Sequence, residues 1–215
     1  VRSDSNLYLT DGDTGMDALY LEYKTTLSER LHQRSYLGIL EEMYSGIGTE
    51  VLYHNFESRW AVGGTVSAVK KRGFQKYFNH IEYQTVTGFL SFYYASPIYD
   101  IDIAMHAGRY LAKDKGFTFE AKRSFDNGFE VGAFFTRTNV PKEVFGEGGF
   151  DKALYFRIPF NSFLKQNTRS SFSTILRPLN RDGGRMLDDF GKTLWSERRS
   201  VRLDAIARNF KRIRL

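Results

Sequence analysis

The sequence predicts an all-β fold: an antiparallel β-barrel of the outer-membrane type, with about 8 to 12 strands and a basic C-terminal helix. Three observations predict it. Apolar residues recur with period two over long stretches, the stretches are separated by turn-forming residues, and the composition is heavy in aromatics, with 19 Phe and 13 Tyr. The pattern is clearest from Ile81 to Thr138. Between Tyr99 and Leu111 the odd positions Tyr99, Ile101, Ile103, Met105, Ala107 and Leu111 are apolar, while the even positions hold Asp100, Asp102, His106 and Gly108. Such alternation places one set of side chains on each face of a strand. Four such strands of about 10 residues exceed the usual globular strand of about 5 or 6 and match the length that crosses a bilayer.

The turns have a chemical basis. Ala95-Ser96-Pro97, Asp114-Lys115-Gly116 and Asp126-Asn127-Gly128 each contain residues that tolerate turn dihedrals, and they separate the four strands. The flanking segments supply more strands. Asp17 to Ser28 and Ser35 to Met43 mix their faces less cleanly, and Val51 to Tyr53 is a short apolar piece. Arg59 to Lys71 alternates small residues and closes on the charged run Lys70-Lys71-Arg72; its Gly63-Gly64 pair permits the bend of a barrel wall. Glu82 to Tyr94 sets Val86, Leu90, Phe92 and Tyr94 against Thr85, Thr87, Phe89, Ser91 and Tyr93. Phe117 to Phe125, Phe129 to Thr138, Lys152 to Phe160 and Ser170 to Leu176 follow, giving about ten strands in all.

The two ends differ from the middle. Asn6 to Thr10 alternates briefly and reads as a short extended piece, followed by Asp11-Gly12-Asp13-Thr14-Gly15. That run resembles a calcium loop only superficially, because Met16 stands where the sixth-position glycine belongs. Residues 1–184 form the barrel region and residues 185–215 a basic amphipathic tail. There Leu203, Ile206, Ala207, Phe210 and Ile213 make a helical stripe among arginines, suited to a phosphate-rich membrane surface or to the end of the barrel. From Trp195 to Leu215, Arg198, Arg199, Arg202, Arg208, Lys211, Arg212 and Arg214 face only Glu197 and Asp204, so most of the net charge of +6 sits there. A nearly neutral body with a basic tail speaks against nucleic acid as a partner.

Composition excludes other classes. No run approaches the roughly 18 apolar residues of a membrane-crossing helix, and the mean hydropathy is −0.43. There is no cysteine, hence no disulfide, thiolate nucleophile or thiolate metal site. His32, His54, His80 and His106 are dispersed without ligand spacing, so neither a metal nor another cofactor is expected. Glu41-Glu42 cannot flank one bond as a catalytic pair, since adjacent strand residues point to opposite faces.

Five spaced motifs carry a resemblance: Tyr36 to Ser45, Gly108-Arg109-Tyr110-Leu111-Ala112, Phe125-Asp126-Asn127-Gly128, Phe145 to Lys152, and Arg177-Pro178-Leu179-Asn180-Arg181-Asp182-Gly183-Gly184. Over Ser35 to Gly184 the chain resembles the YjbH/GfcD-like family of outer-membrane proteins of exopolysaccharide and capsule biosynthesis. The resemblance implies a large barrel in the cell outer membrane, often a lipoprotein, of which this chain is the C-terminal part. It implies exopolysaccharide, outer-membrane lipids and other polysaccharide-export components as partners, and it supplies no catalytic motif. The final residues Lys211-Arg212-Ile213-Arg214-Leu215 depart from the aromatic end of many barrel proteins.

The expected function is therefore passage of exopolysaccharide across the outer membrane, without enzymatic activity. A sugar path needs groups that replace the hydrogen bonds of water and aromatic faces for the apolar faces of the rings. The inward-facing sets Tyr83, Thr85, Thr87, Ser91, Tyr93 and Asp100, Asp102, His106, Tyr110 supply both, and are expected to act as a group. Two other readings compete. Asp100, Asp102 and His106 on one strand face would suit a polysaccharide hydrolase, with i and i+2 about 7 Å apart, but any alternating strand yields such a pair. A soluble periplasmic β-sandwich or lipocalin-like carbohydrate-binding module would instead stay folded without detergent.

Overall fold

The computed structural model describes residues 2–125, 127–140, 150–160, 170–178, 182–188, 190–203 and 205–206. A short helix, α1 (Ser5–Asp11), precedes ten strands: β1 (Leu19–Ser28), β2 (Leu31–Ile39), β3 (Tyr44–His54), β4 (Trp60–Arg72), β5 (His80–Ala95), β6 (Ile101–Arg109), β7 (Lys115–Ser124), β8 (Glu130–Thr138), β9 (Phe150–Pro159) and β10 (Ser171–Leu176). A second helix, α2 (Leu194–Ser200), follows. All ten strands belong to one antiparallel sheet in sequence order. Each strand pairs with the next, the topology that short hairpin connections impose.

The described strands make one sheet, so the two-layered sandwich is not the architecture. The sheet also does not close: β1 pairs with β2 alone and β10 with β9 alone. The all-antiparallel expectation holds; closure into a barrel is not present among the described residues.

Several boundaries move from their sequence expectations. Asn6 to Thr10 is not extended but part of α1. The helix satisfies its own backbone bonds where no strand edge lies alongside, and it turns Tyr8 fully inward, its hydroxyl donating to the Arg72 carbonyl at 2.5 Å. β2 ends at Ile39, because Leu40 to Met43 form a tight connection in which Leu40 and Glu41 donate their N–H groups to the Tyr44 carbonyl. That turn lacks Gly, Pro and Asn and so leaves no local signal. β3 is consequently 11 residues long rather than a short apolar piece. The turn before β7 lies at Tyr110 to Asp114, where Lys113 takes φ 68°, leaving Lys115 and Gly116 in the strand. At Phe125 to Phe129 the expected hairpin forms, with Gly128 at φ 84°.

The two faces of the sheet are opposites. On one, Leu31, Tyr53, Val62, Phe92, Met105, Phe119 and Phe135 lie in register across seven strands. This face is largely open, with Leu21 at 69%, Ile47 at 60% and Leu90 at 66% exposure. On the other, His32, Leu52, Gly63, Ser91, His106, Thr118 and Thr136 are in register. This second face is covered at one end by a cluster of Tyr8, Tyr36, Leu40, Met43, Tyr44, Val69 and Leu111, against which Leu187 and Phe190 pack. Near the other end Leu194 and Trp195 of α2 sit on Leu52, Ala61 and Ala95. The polar face is inside and the apolar face outside, the reverse of a soluble sheet.

Candidate functional site: the covered polar face

The covered face is built by the strand alternation itself. In β1 to β3 the inward positions are Glu22, Lys24, His32, Arg34, Tyr36 and Glu50, a dense charged set. Arg34 is the hub, donating to Glu22 at 2.5 Å, to Glu50 at 3.3 Å and to the Phe190 carbonyl at 2.6 Å. Glu50 also accepts the backbone N–H of Leu194 at 3.0 Å. Lys24 bridges Glu22 at 2.9 Å and Glu197 at 2.7 Å. With Arg34 and Glu50 side chains at 4% and 8% exposure, these charges persist because each is paired and hydrogen-bonded.

In β5 to β8 the inward groups are mostly hydroxyls. Tyr110, Thr118 and Thr136 form a buried hydroxyl chain with two links of 2.7 Å. Ser91 and His106 Nδ1 are 2.8 Å apart, and the Tyr83 hydroxyl donates to the Leu111 carbonyl at 2.6 Å. Thr85 and Thr87 are buried on the same face. The Tyr93 ring stacks on Trp195, with centroids 5.1 Å apart and planes at 14°, and meets His106 edge-on. Asp102 accepts from Arg199 Nε at 2.6 Å.

Tyr83, Thr85, Thr87, Ser91, Tyr93, Asp102 and His106 thus share the covered face, and Tyr110 lies buried just beyond the end of β6. Asp100 does not join them on a strand. It stands in the turn before β6 at φ 52°, next to Tyr99 at φ 56°. The alternation in the sequence runs two residues into the turn, so Asp100, Asp102 and His106 are not three groups of one strand face. The charged set around Arg34 is absent from the sequence expectation, although it has a signal: polar and charged residues at alternate positions 22, 24 and 32, 34 opposite exposed Leu21, Tyr23 and Leu37.

Helix α2 is fastened to this face by its own polar residues. Thr193 caps it, accepting the Ser196 N–H at 3.3 Å. Arg198 donates to His32 Nδ1 at 2.8 Å, Glu197 takes Lys24 and Arg199 takes Asp102. An open groove of about 350 Å³ runs between α2 and β1–β2, lined by Lys24, Thr26, His32 and Arg198 among others. The stripe expected from Leu203 onward lies mostly outside the described residues, as do Phe145 to Gly149 and Leu179 to Arg181 of the family motifs.

At the opposite end the N-terminal residues and the 182–188 segment meet at a buried carboxylate. Glu41, in the β2–β3 turn, accepts from Arg2 at 2.7 Å and from the Asp188 N–H at 2.6 Å. Burial pushes its carboxyl up to about 7, against the pull of Arg2. Asp182 accepts the N–H groups of Arg2 and Ser3 at 2.6 and 2.8 Å. Among the described residues no group of His, Asp and Glu side chains has the arrangement of a metal site.

One meander of long antiparallel strands, charged and hydroxyl-rich on its covered face and apolar on its open one, defines an all-β protein built on a single antiparallel sheet. Residues 1–197 match the family model described as "Exopolysaccharide biosynthesis protein YbjH", and the chain belongs to this YjbH family. It is 38% identical over 180 residues to the "Uncharacterized lipoprotein YjbH" of Escherichia coli (strain K12), an alignment covering 81% of this chain and 26% of that protein. The chain thus spans about a quarter of that relative's length. No solved structure matches it.

Proposed function

We propose that this chain forms wall strands of an outer-membrane β-barrel through which exopolysaccharide leaves the cell. The observation that carries the reading is the bare apolar face. Leu37, Ile47, Val66, Val86 and Leu90 occupy its middle, all exposed. Aromatics gather towards both ends: Tyr53, Trp60, Tyr99 and Phe125 at one, and Tyr77, Phe78, Phe117 and Phe150 at the other. An apolar band flanked by aromatic girdles is the surface a bilayer selects, because aromatic rings suit the interface and aliphatic chains the hydrocarbon. Left in water, so large an apolar area would drive association. Strands of 9 to 16 residues, β10 apart, are long enough to cross.

The two open sheet edges fit a share in a larger barrel, since a membrane sheet with unpaired edges is not viable in hydrocarbon. The family's printed role in exopolysaccharide biosynthesis supports the polymer as the cargo, with other export components as partners, and the E. coli relative's name supports a lipid-anchored parent protein. The polymer is moved and not cut: the covered face offers hydroxyls, carboxylates and aromatic rings along several strands.

The two tryptophans provide the test. Trp60 is 43% exposed on the open face and Trp195 is 8% exposed under the covered one. Reconstituted into vesicles of phosphatidylcholine with brominated acyl chains, a Trp195→Phe protein is expected to lose most of its Trp60 emission, while Trp195 in a Trp60→Phe protein keeps its own. Equal emission of both with and without bromine, or a stable folded monomer without detergent, overturns the reading.

A further inference from the structure

The place where α2 meets the sheet has the form of a filled binding site. Around Tyr93 the inward positions are small: Ala61 and Ala104 are its cross-strand neighbours, and Gly63, Ser91 and Ala95 lie beside them. They leave a depression with the Tyr93 ring as its floor, and the indole of Trp195 lies in it nearly parallel to that ring. Polar groups stand around the rim: Asp102, held by Arg199, and the Ser91–His106 pair. His54 meets Trp195 edge-on at 5.8 Å between centroids, is 3% exposed, and its Nε2 is buried without a hydrogen-bond partner among the described residues. An unpaired buried imidazole nitrogen is unfavourable, and Trp195 beside it does not relieve it.

A flat ring on an aromatic floor, ringed by a carboxylate, a hydroxyl and imidazoles, is the arrangement that takes a hexose. The apolar C–H face of the sugar stacks on the aromatic and its hydroxyls reach the rim. We propose that this depression is a subsite for one hexose ring of the exported polymer and that Trp195 is its resident occupant, so that α2 competes with the sugar chain for the covered face. The inference rests on the barrel reading above. It gives that reading a definite contact and assigns the ion pairs of Glu197 and Arg199 and the Arg198–His32 hydrogen bond the task of holding α2 until the polymer displaces it.

The test uses the chain in detergent micelles and three defined probes: cellohexaose, maltohexaose and chitohexaose. By calorimetry, at least one probe is expected to bind the Trp195→Ala protein ten-fold or more tightly than the unaltered protein, and Tyr93→Ala in that background is expected to abolish the gain. Equal affinity with and without Trp195, or a gain that survives Tyr93→Ala, overturns the proposal. A second measurement avoids removing a packed side chain. In the Trp60→Phe protein the same probe should shift Trp195 emission to the red as the indole leaves Tyr93 for water, and emission unmoved at saturation also overturns it. Failure of either with Trp60 still quenched by brominated lipid removes the subsite and leaves the barrel. Unquenched Trp60 removes the barrel reading itself, whatever the sugars do.

Discussion

The two faces of this sheet are made by the same strands, yet they obey opposite rules. On the open face from β4 to β7 neighbouring side chains are interchangeable, as Val, Leu, Ile, Met and Phe follow one another across the register, and the polar exception is the Gln33, Ser35 and Thr49 group of β2 and β3. On the covered face many groups are specified by a partner: Arg34 by Glu22, Glu50 and a carbonyl, Tyr36 by Ser67 at 2.7 Å, Asp102 by Arg199. Open-face energetics depend on the surrounding solvent, whereas covered-face energetics depend on individual bonds. Substitutions on each face separate the two dependences.

The largest effect is expected at Arg34. Arg34→Ala leaves Glu50 buried without its cation, a loss of about 3 to 5 kcal/mol, read as a lowered urea midpoint in lipid vesicles. Arg34→Met combined with Glu50→Gln should cost much less, because no uncompensated charge remains. A single substitution no worse than the double would show that the charge network is not what orders this face.

Leu90→Arg addresses the open face. In a bilayer it should cost about 2 to 4 kcal/mol, since Leu90 is an exposed apolar residue in the interior of β5. Stability unchanged in vesicles would mean that lipid does not touch this side chain, and would make the faces alike.

Glu41 couples the covered face to pH. Its folded carboxyl is raised from the ordinary 4.5 to about 7, so folding favours the protonated form. The contribution is fully present below about pH 4.5 and is lost as pH rises through about 7, at most about 3 kcal/mol in all. The unaltered protein should therefore lose stability relative to Glu41→Gln between pH 4.5 and 8. A constant difference between the two over that range would place the buried charge elsewhere.

The smallest effects contrast two glycines. A Cβ at Gly48, on the covered face, would stand 2.6 Å from the Tyr36 ring, whereas one at Gly64, on the open face, meets only the Phe89 carbonyl at 3.8 Å. Gly48→Ala should cost about 1 to 3 kcal/mol, and Gly64→Ala no more than about 0.5 kcal/mol. Equal losses in thermal unfolding would mean that side-chain room does not distinguish the faces.

Much of this molecule is legible from alternation. Residues in β5 to β8 carry their face in their parity, so position in the chain is enough to group Thr85, Thr87, Ser91, Tyr93, Asp102 and His106. Parity fails at ends, where a strand becomes a turn without changing residue type. That is why alternation misplaces Asp100 and gives no sign of the Leu40 to Met43 turn. It is also silent on helices too short to show a period, and Ser5–Asp11 is only 7 residues long.

The all-β class, the succession of strands and the polarity of each face follow from local chemistry repeated every second residue and are readable without coordinates. Tertiary structure alone decided that the sheet stays open among the described residues and that Arg34 gathers carboxylates from β1 and β3. It alone decided, too, that Trp195 comes to rest on Tyr93. Each of these depends on which elements come together, and no local pattern encodes a contact whose two halves are more than a hundred residues apart, as Tyr93 and Trp195 are.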